Sequence, residues 1–524
     1  MPEAGGQQAA FSHRDVLRIL SGVLLCMLMA SLDQTVLATA LPAIAADFHS
    51  VPYLSWCITA YLLASTVATL ILGKLSDLWG RRMLLEASIG IFLLASVACA
   101  LAPNMAALIA ARAVQGVGGG GLYSMAQASI ADVVSARERG RYQAYITSAF
   151  STAAIIGPVI GGFCVEYLTW RWAFWINLPL GIAAYFLCHR GLARVIVQRL
   201  QRPIDYLGAA LLAPGVSALI LALTLGGSEL PWLSLELIGL ALIALLFIGA
   251  FIARELKAPE ALLPPRLFKS AVFCVASLLN FAINAITVGT FMLLPVYLQF
   301  AIGVTADVSG AMLIIPFAAQ ITSSIMTGKR VQRTGRYVPS PRAGFLLLAI
   351  AGGLFATMTA STPLWVVELF IVVNGIGNGL CQAPLWVAIQ NSAELKDLGA
   401  VTGANAFFRA LGGATGASIL WSLLLMMLDR TVAAEGHPAD GSALLRDGRA
   451  ALALLPEDVR AILIPALSHS FGYAFAAAGV ISAAAFVTTF FLKEIPLRTT
   501  THHARQSGPA KENPAASGRV SAGE

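Results

Sequence analysis

Long apolar runs constrain this chain more than any other feature of its sequence. A helix of about 20 apolar residues crosses the ~30 Å hydrocarbon core of a bilayer, and the chain divides into fourteen such runs. Because a backbone in lipid must satisfy its own hydrogen bonds, we expect an all-α membrane protein with fourteen transmembrane helices. Composition agrees, since 58% of the 524 residues are hydrophobic and only 12% are charged. The predicted spans are 16–40, 53–72, 83–101, 105–128, 142–165, 172–190, 206–226, 234–253, 272–296, 307–327, 343–360, 364–388, 401–427 and 470–492.

Basic residues predict how these helices are oriented. Of the 34 Lys and Arg residues, 27 fall in the two tails and in alternate loops on one side, and five fall on the other side. The remaining two, Arg112 and Arg409, lie inside helices. Cytoplasmic loops carry the excess of Lys and Arg, so we expect a multi-pass protein of a bacterial inner membrane with both termini in the cytoplasm. The net charge of +7 then reflects topology and not nucleic-acid binding.

A repeated segment predicts how the helices are grouped. Gly73, Lys74, Gly80 and Arg81 follow the second helix, and the same residue types recur in register 255 residues later, after the tenth helix. Such repetition is typical of transporters built from two related halves. The predicted units are a cytoplasmic tail at 1–15, a six-helix half at 16–192, two inserted helices with linkers at 193–271, a second half at 272–492 with an outer loop at 428–469, and a disordered cytoplasmic tail at 493–524.

Two charges inside helices are the strongest candidates for function, because ionisable groups are costly in a membrane and mark polar pathways. Asp33 lies nine residues before Pro42, and Arg112 lies nine residues after Pro103. Both are therefore about 13 Å below the same boundary, and they can pair if their helices share one cavity. A neighbouring cation favours the ionised carboxylate, whereas burial favours the protonated one. A fixed ion pair that only aligns two helices is the alternative.

Short motifs in a characteristic order extend over nearly the whole chain. They are the loop motif G-x-L-x-D-x-x-G-R-[RK], a motif of the fourth helix, an antiporter motif in helix 5, and two motifs in helices 7 and 13. Ala153 and Trp421 depart from two of these patterns, and Gln332 replaces the loop aspartate in the second copy of the repeat. With these motifs the chain resembles the fourteen-helix drug:proton antiporters of the major facilitator superfamily, in the EmrB/QacA group. The motifs occupy residues 73–82, 108–118, 157–162, 205–211 and 411–416.

The resemblance implies the major facilitator fold, with two six-helix halves plus two inserted helices. It makes Asp33 the leading proton acceptor and Arg112 its modulator. The loop acid is expected to face the start of helix 13, where the helix dipole favours a negative charge, and to hold the cytoplasmic side closed. The helix 5 motif suits a seam at which the halves rock, or is an ordinary kink. The gating motif comprises Gly73, Asp77, Gly80, Arg81 and Arg82, and the antiporter motif comprises Gly157, Pro158, Gly161 and Gly162.

Polar side chains recur at helical spacing in helices 9 and 12 and predict an amide-lined substrate cavity. For each of these amides, hydrogen bonding between helices is the alternative. Glu368 lies about four residues inside helix 12 and is interpreted as interfacial. The candidate cavity residues are Gln34, Gln115, Tyr123, Asn280, Asn284, Phe291, Asn374, Asn378 and Gln382.

These features predict a multidrug exporter that exchanges inward-moving protons for small lipophilic molecules, either monocationic, neutral or weakly acidic. The alternatives are export of one metabolite or antibiotic by the same chemistry, an uncoupled transporter, and a transporter-like receptor. We predict no enzymatic activity, cofactor or metal, and the sequence contains no phosphate-binding loop for ATP. Residues 116–121 satisfy G-x-G-x-x-G, but their helical flanks favour helix packing. The outer loop, with an amphipathic stretch at 452–464, could contact a periplasmic adaptor protein, form a lid, or do neither.

Overall fold

Fourteen long helices, α1 to α14, make up most of the chain that the structure describes. This computed structural model describes residues 13–49, 53–134, 136–192, 205–227, 230–394, 397–434 and 457–497. We call the side of the bundle on which α1 begins the tail side. The helices are α1 His13–Phe48, α2 Leu54–Trp79, α3 Arg81–Ala100, α4 Met105–Val133, α5 Ala136–Tyr167, α6 Asn177–Gly191, α7 Tyr206–Leu225, α8 Leu235–Glu255, α9 Ala271–Tyr297, α10 Ile314–Thr334, α11 Pro339–Ala356, α12 Leu364–Asn391, α13 Leu398–Ala434 and α14 Glu457–Thr488.

Thirteen of these helices, with α6 counted from Trp172, are long and apolar enough to cross a membrane, and α4 is the exception within the described residues. It carries Arg112, Asp132 and five glycines between residues 116 and 121. α4 packs along α2 and α3, and a Cβ added at Gly116 or Gly120 would overlap carbonyl oxygens of α2. A helix this polar is tolerated at membrane depth because protein, and not lipid, covers most of its surface.

The helices form two groups of six and one additional pair, which confirms the predicted architecture. Buried apolar side chains of α1 to α6 form one core, and those of α9 and α11 to α14 form another. The two groups meet where α2 packs against α13 and where α5 packs against α10. α7 and α8 pack on each other, and α7 also contacts α2 and α13. Most of α8 faces outward, with Leu235 and Leu245 largely exposed, as expected for a lipid-facing helix.

Gly80 is the single residue between α2 and α3. Its φ of 98° lies in a region that residues with side chains rarely adopt. In the second copy of the repeat, Gly335 ends α10 with a φ of 71°. Glycine therefore permits the turn that follows the helix in both copies, and this explains why the residue type recurs in register.

The helices that flank the outer loop are longer than hydropathy predicts. α13 continues to Ala434 and α14 begins at Glu457, so both helices extend into the predicted loop at 428–469, of which residues 435–456 lie outside the described residues. Hydropathy marks only the apolar part of a helix, and charged residues continue both of these helices beyond it. The amphipathic stretch predicted at 452–464 is divided, because its second part belongs to α14.

Two predicted spans are interrupted. A short helix, Trp172–Trp175, precedes α6, and another, Ala306–Ala311, precedes α10. Most of the predicted tails at 1–15 and 493–524 lies outside the described residues.

Candidate functional site

Asp33, on α1, accepts three hydrogen bonds from two other helices. Arg112 Nη1 donates to its Oδ2 at 2.6 Å, while Gln115 Nε2 and Asn177 Nδ2 each donate to its Oδ1 at 2.8 Å. Ser96 accepts from both amides, at 3.3 Å from Gln115 and 2.9 Å from Asn177. The predicted pairing of Asp33 with Arg112 is therefore present in the structure, within a wider polar network.

The Asp33–Arg112 pair is shielded from solvent, since both side chains are only 1% exposed. The Tyr61 ring lies over the guanidinium at 4.4 Å, and the Phe174 ring lies 5.9 Å away. Arg112 Nε also donates to the Cys57 carbonyl at 3.3 Å. A buried ion pair is tolerated when its remaining donors and acceptors are satisfied, and here carbonyl, amide and ring contacts do this.

A cavity of about 510 Å³ lies beside this pair. Its walls come from α1, α2, α4, α5, α7, α9 and α13, and it is mostly apolar with scattered hydroxyl and amide groups. Its volume falls in the range of pockets that hold drug-sized molecules. The residues that line it include Ser31, Gln34, Tyr61, Leu62, Ser65, Thr66, Thr69, Tyr123, Phe150, Leu223, Thr224, Gly226, Asn284, Val288, Met292, Arg409, Ser418 and Trp421.

Asp33 itself does not line the cavity. Its neighbours Ser31 and Gln34 do, and so does Tyr61, whose ring covers Arg112. Tyr61 therefore contacts both the buried pair and the space that a substrate would fill.

Three of the predicted cavity residues, Gln34, Tyr123 and Asn284, line this cavity, and the other six do not. The six make other contacts or pack elsewhere, which helical spacing could not reveal. Gln115 binds Asp33, Asn280 donates to Asn405, and Phe291 stacks on Phe317 at 5.0 Å. Asn378 hydrogen-bonds to both Asn374 and Thr287, and Gln382 is half-buried away from the cavity.

Sequence reasoning missed several residues of the site. Asn177 and Ser96 complete the Asp33 network, and no charge or motif marked them in the sequence. The sequence marks Arg409 as a charge inside a helix but indicates no role for it. It lines the cavity and donates to the Tyr123 hydroxyl at 2.9 Å. The contribution of α7 was also missed, although Thr224 and Gly226 reach the cavity.

On the tail side, Asp77 joins the end of α2 to the start of α13. Its carboxylate accepts from the backbone N–H groups of Gly399 at 3.1 Å and Ala400 at 3.2 Å. Arg81 lies 2.5 Å from Asp77 and 2.9 Å from Asp132. Free N–H groups at a helix start and the helix dipole both favour an anion. The contact links the two six-helix groups.

The α2–α13 contact is close because it is made by glycines. A Cβ added at Gly399 would overlap the Gly73 carbonyl and the Asp77 carboxylate. Arg82 of the same motif points elsewhere, pairing with Glu86 at 2.7 Å and contacting His189 at 2.9 Å. Gly73, Asp77 and Arg81 therefore belong to the contact between the groups, and Arg82 does not.

The linker after α8 is attached to both sides of this contact. Glu260 accepts from Lys74 of the loop motif at 3.3 Å, and Arg266 donates to Asp397, just before α13, at 2.8 Å. Hydrogen bonding to Asp397 raises the pKa of Arg266. The inserted pair is thus connected to the region where the two groups meet.

The antiporter motif packs α5 against α1 within the first group. A Cβ added at Gly157 would overlap Thr35 Oγ1, and one at Gly161 would overlap Thr39 Oγ1 and the Val36 carbonyl. Gly162 has open space around it. These glycines therefore bring α5 against the helix that carries the buried acid, and the close contact lies inside one half instead of between the halves.

The different surroundings of two adjacent glycines give a stability prediction. Gly161→Val is expected to force α1 and α5 apart and to lower the free energy of unfolding by about 1–3 kcal/mol, the usual cost of overpacking. Gly162→Val, at the neighbouring open position, should stay within about 0.5 kcal/mol of the parent. Thermal unfolding of the purified proteins measures both. Equal losses for the two variants would show that the α1–α5 contact is not the cause.

Comparisons with known proteins agree on one family. A family model described as the Major Facilitator Superfamily matches residues 23–417. An uncharacterised MFS-type transporter of Mycobacterium tuberculosis is 36% identical over 94% of this chain and 72% of its own length. Multidrug transporter protein MdtP of Bacillus subtilis is 36% identical over 78% of this chain and 75% of its own length. Efflux pump FUS6 of Gibberella moniliformis is 34% identical over 76% and 72%.

A solved structure supports the fold. The proton:xylose symporter XylE superposes with a TM-score of 0.59 at 15% identity, covering 92% of this chain and 97% of that chain. At this identity the likeness concerns the fold alone.

Proposed function

Because this chain belongs to the major facilitator superfamily, we propose that it is a proton-coupled antiporter that exports small lipophilic organic molecules across a bacterial inner membrane. Both termini are then cytoplasmic, and the tail side faces the cytoplasm. Relatives named as a multidrug transporter and an efflux pump support export. A mostly apolar cavity of about 510 Å³ supports a lipophilic cargo.

The observation that carries this proposal is the buried carboxylate next to the cavity. Asp33 is 1% exposed and accepts hydrogen bonds from one cation and two amide donors. A carboxylate at membrane depth is energetically costly and therefore usually marks a functional site. Reversible proton binding is a function that requires a titratable group.

In the proposed cycle, proton binding to Asp33 weakens its hold on Arg112 and frees the guanidinium to repack against Tyr61. Tyr61 also lines the cavity, so this movement alters the substrate site. The Asp77 contact closes the cytoplasmic side while the cavity discharges its cargo outward. Opening of that contact then exposes the cavity to the cytoplasm, where Asp33 loses its proton and new cargo enters.

The test uses the purified full-length chain in sealed liposomes with a pH-sensitive dye inside. Adding a transported compound should move protons in the direction opposite to that compound, and an imposed pH gradient should drive its uptake against its own gradient. Transport of one compound from a broad panel would favour a dedicated metabolite or antibiotic exporter. Transport without any proton movement would contradict proton antiport and indicate an uncoupled transporter. Binding without transport would indicate a receptor.

The partner of the acid can be tested separately through Arg112→Gln. Loss of the cation favours protonated Asp33, so the pH dependence of export should move to higher pH. Arg112→Lys keeps the positive charge and should stay closer to the parent profile. Rates measured at several pH values with a constant gradient give the answer. An unmoved profile combined with a large loss of thermal stability would make Arg112 a structural residue only.

A further inference from the structure

Arg409 carries the one formal charge among the side chains that line the described cavity. It lies on α13, eleven residues after Leu398, and so about 16 Å from the tail-side start of that helix. Asp33 and Arg112, which also lie inside helices, form an ion pair with each other, and the Tyr61 ring covers Arg112. We propose that Arg409 binds an acidic group of the cargo, so that the preferred substrates are aromatic or lipophilic monoanions such as carboxylates. This inference rests on the proposed function and names its substrate class.

The surroundings of Arg409 leave its charge available. Its Nη1 donates to the Tyr123 hydroxyl at 2.9 Å. Its guanidinium also lies 5.0 Å from the Tyr123 ring and 5.2 Å from the Phe150 ring. These contacts position the side chain, yet none of them supplies a negative charge. Among the described residues that line the cavity there is no Asp or Glu.

The chemistry of guanidinium makes a carboxylate the matching group. Arg presents five N–H donors in a planar fork, and a carboxylate accepts two of them at once. One donor is used by Tyr123. The interaction is strengthened by the mostly apolar walls of the cavity, since low polarity strengthens attraction between opposite charges.

The remaining walls define the rest of the molecule. Tyr61, Phe150 and Trp421 present ring surfaces, and Val288 and Met292 present aliphatic and thioether surfaces. A flat apolar body attached to one acidic group fits this combination. A monocation, which the sequence alone allowed, would instead be repelled by Arg409.

The experiment measures equilibrium binding to the full-length chain in lipid nanodiscs at pH 7.5, with no pH gradient. Three probes share one ring system and differ in charge: 2-naphthoate, 2-naphthamide and 2-naphthylmethylammonium. Calorimetry should show 2-naphthoate binding about ten- to a hundredfold more tightly than 2-naphthamide, as expected for a hydrogen bond to a charged group. The ammonium compound should bind most weakly.

Variants connect this preference to one side chain. Arg409→Gln should remove most of the preference for 2-naphthoate over 2-naphthamide, and Arg409→Lys should keep part of it. Arg336→Gln, an exposed arginine on the tail side, is the matched control and should bind like the parent.

The parent protein alone can overturn the proposal, even if Arg409→Gln fails to fold. Equal binding of the acid and the amide, tighter binding of the ammonium compound, or no binding of any probe would each do so. An unchanged preference in a folded Arg409→Gln protein would also do so. Because binding requires no gradient, a carboxylate preference without proton-driven transport would defeat the antiport proposal and leave the substrate class standing.

Discussion

Asp33→Asn is expected to reduce export driven by a pH gradient to the level of liposomes without protein. The amide has nearly the shape of the carboxylate but does not titrate. An imposed pH gradient therefore cannot drive transport through proton binding at this residue. Binding of cargo should persist, because Asp33 lies behind Tyr61 and outside the cavity lining. Uptake against a concentration gradient and equilibrium binding, measured on the same preparation, separate these two effects.

The matched control removes both charges. Asp33→Asn alone leaves Arg112 as a buried cation without its partner, which can cost about 3–5 kcal/mol of stability. Asp33→Asn together with Arg112→Gln avoids this cost and should also lack gradient-driven export. If the double variant is well folded and still transports against a gradient, the proton is carried by another group.

Asp77→Asn is expected to slow turnover several-fold while leaving the order of substrate preference unchanged. The amide still accepts a hydrogen bond from the start of α13 but loses the charge that faces the helix dipole and Arg81. Hydrogen bonds to charged groups exceed neutral ones by about 1–2 kcal/mol, which shifts a two-state equilibrium by roughly five- to thirtyfold. Transport rates, together with spin-label distances across the tail side, would report this shift toward the open state.

Asp47→Asn is the control for this substitution. Asp47 also accepts from an arginine, Arg171, at 3.0 Å, but on the opposite side and with about half of its side chain exposed. It should change neither the rate nor the distances. A changed substrate profile with normal turnover in Asp77→Asn would mean that the loop contributes to substrate recognition and does not control closure of the tail side.

The arrangement of helices could be predicted from the sequence because length, hydropathy and charge asymmetry act over whole segments. Asp33 and Arg112 could be matched because equal depth follows directly from helical rise. Asp77 could be placed opposite α13 only through the resemblance to a family, because the loop sequence alone does not indicate which helix Asp77 contacts. The predictions that were wrong concern details smaller than a whole helix. Hydropathy ends α13 too early and begins α14 too late because it ignores polar helical turns.

The cavity was the least predictable part. Asn280, Asn374 and Asn378 have the spacing of polar helix faces, yet Asn280 and Asn378 hydrogen-bond to neighbouring helices. Asn374 accepts from Asn378 within α12. The same spacing suits both uses, and only the rotation of each helix distinguishes them. Asn177 was missed for a related reason: a single amide at a helix start looks like a cap until the fold brings it to Asp33.

The Asp33 network also has a consequence for how the protein is made. Synthesis delivers α1 first, so the carboxylate of Asp33 reaches the membrane before its partners on α4 and α6 exist. A charge at the centre of a lone helix raises the free energy of insertion by about 2.5–3.5 kcal/mol, and α4 is not among the described helices that are apolar enough to cross a membrane. We therefore expect α1 to remain beside the insertion machinery until α4 arrives with Arg112. The residue that we propose to carry the proton is therefore also expected to delay the release of α1 into the lipid until α4 has been inserted.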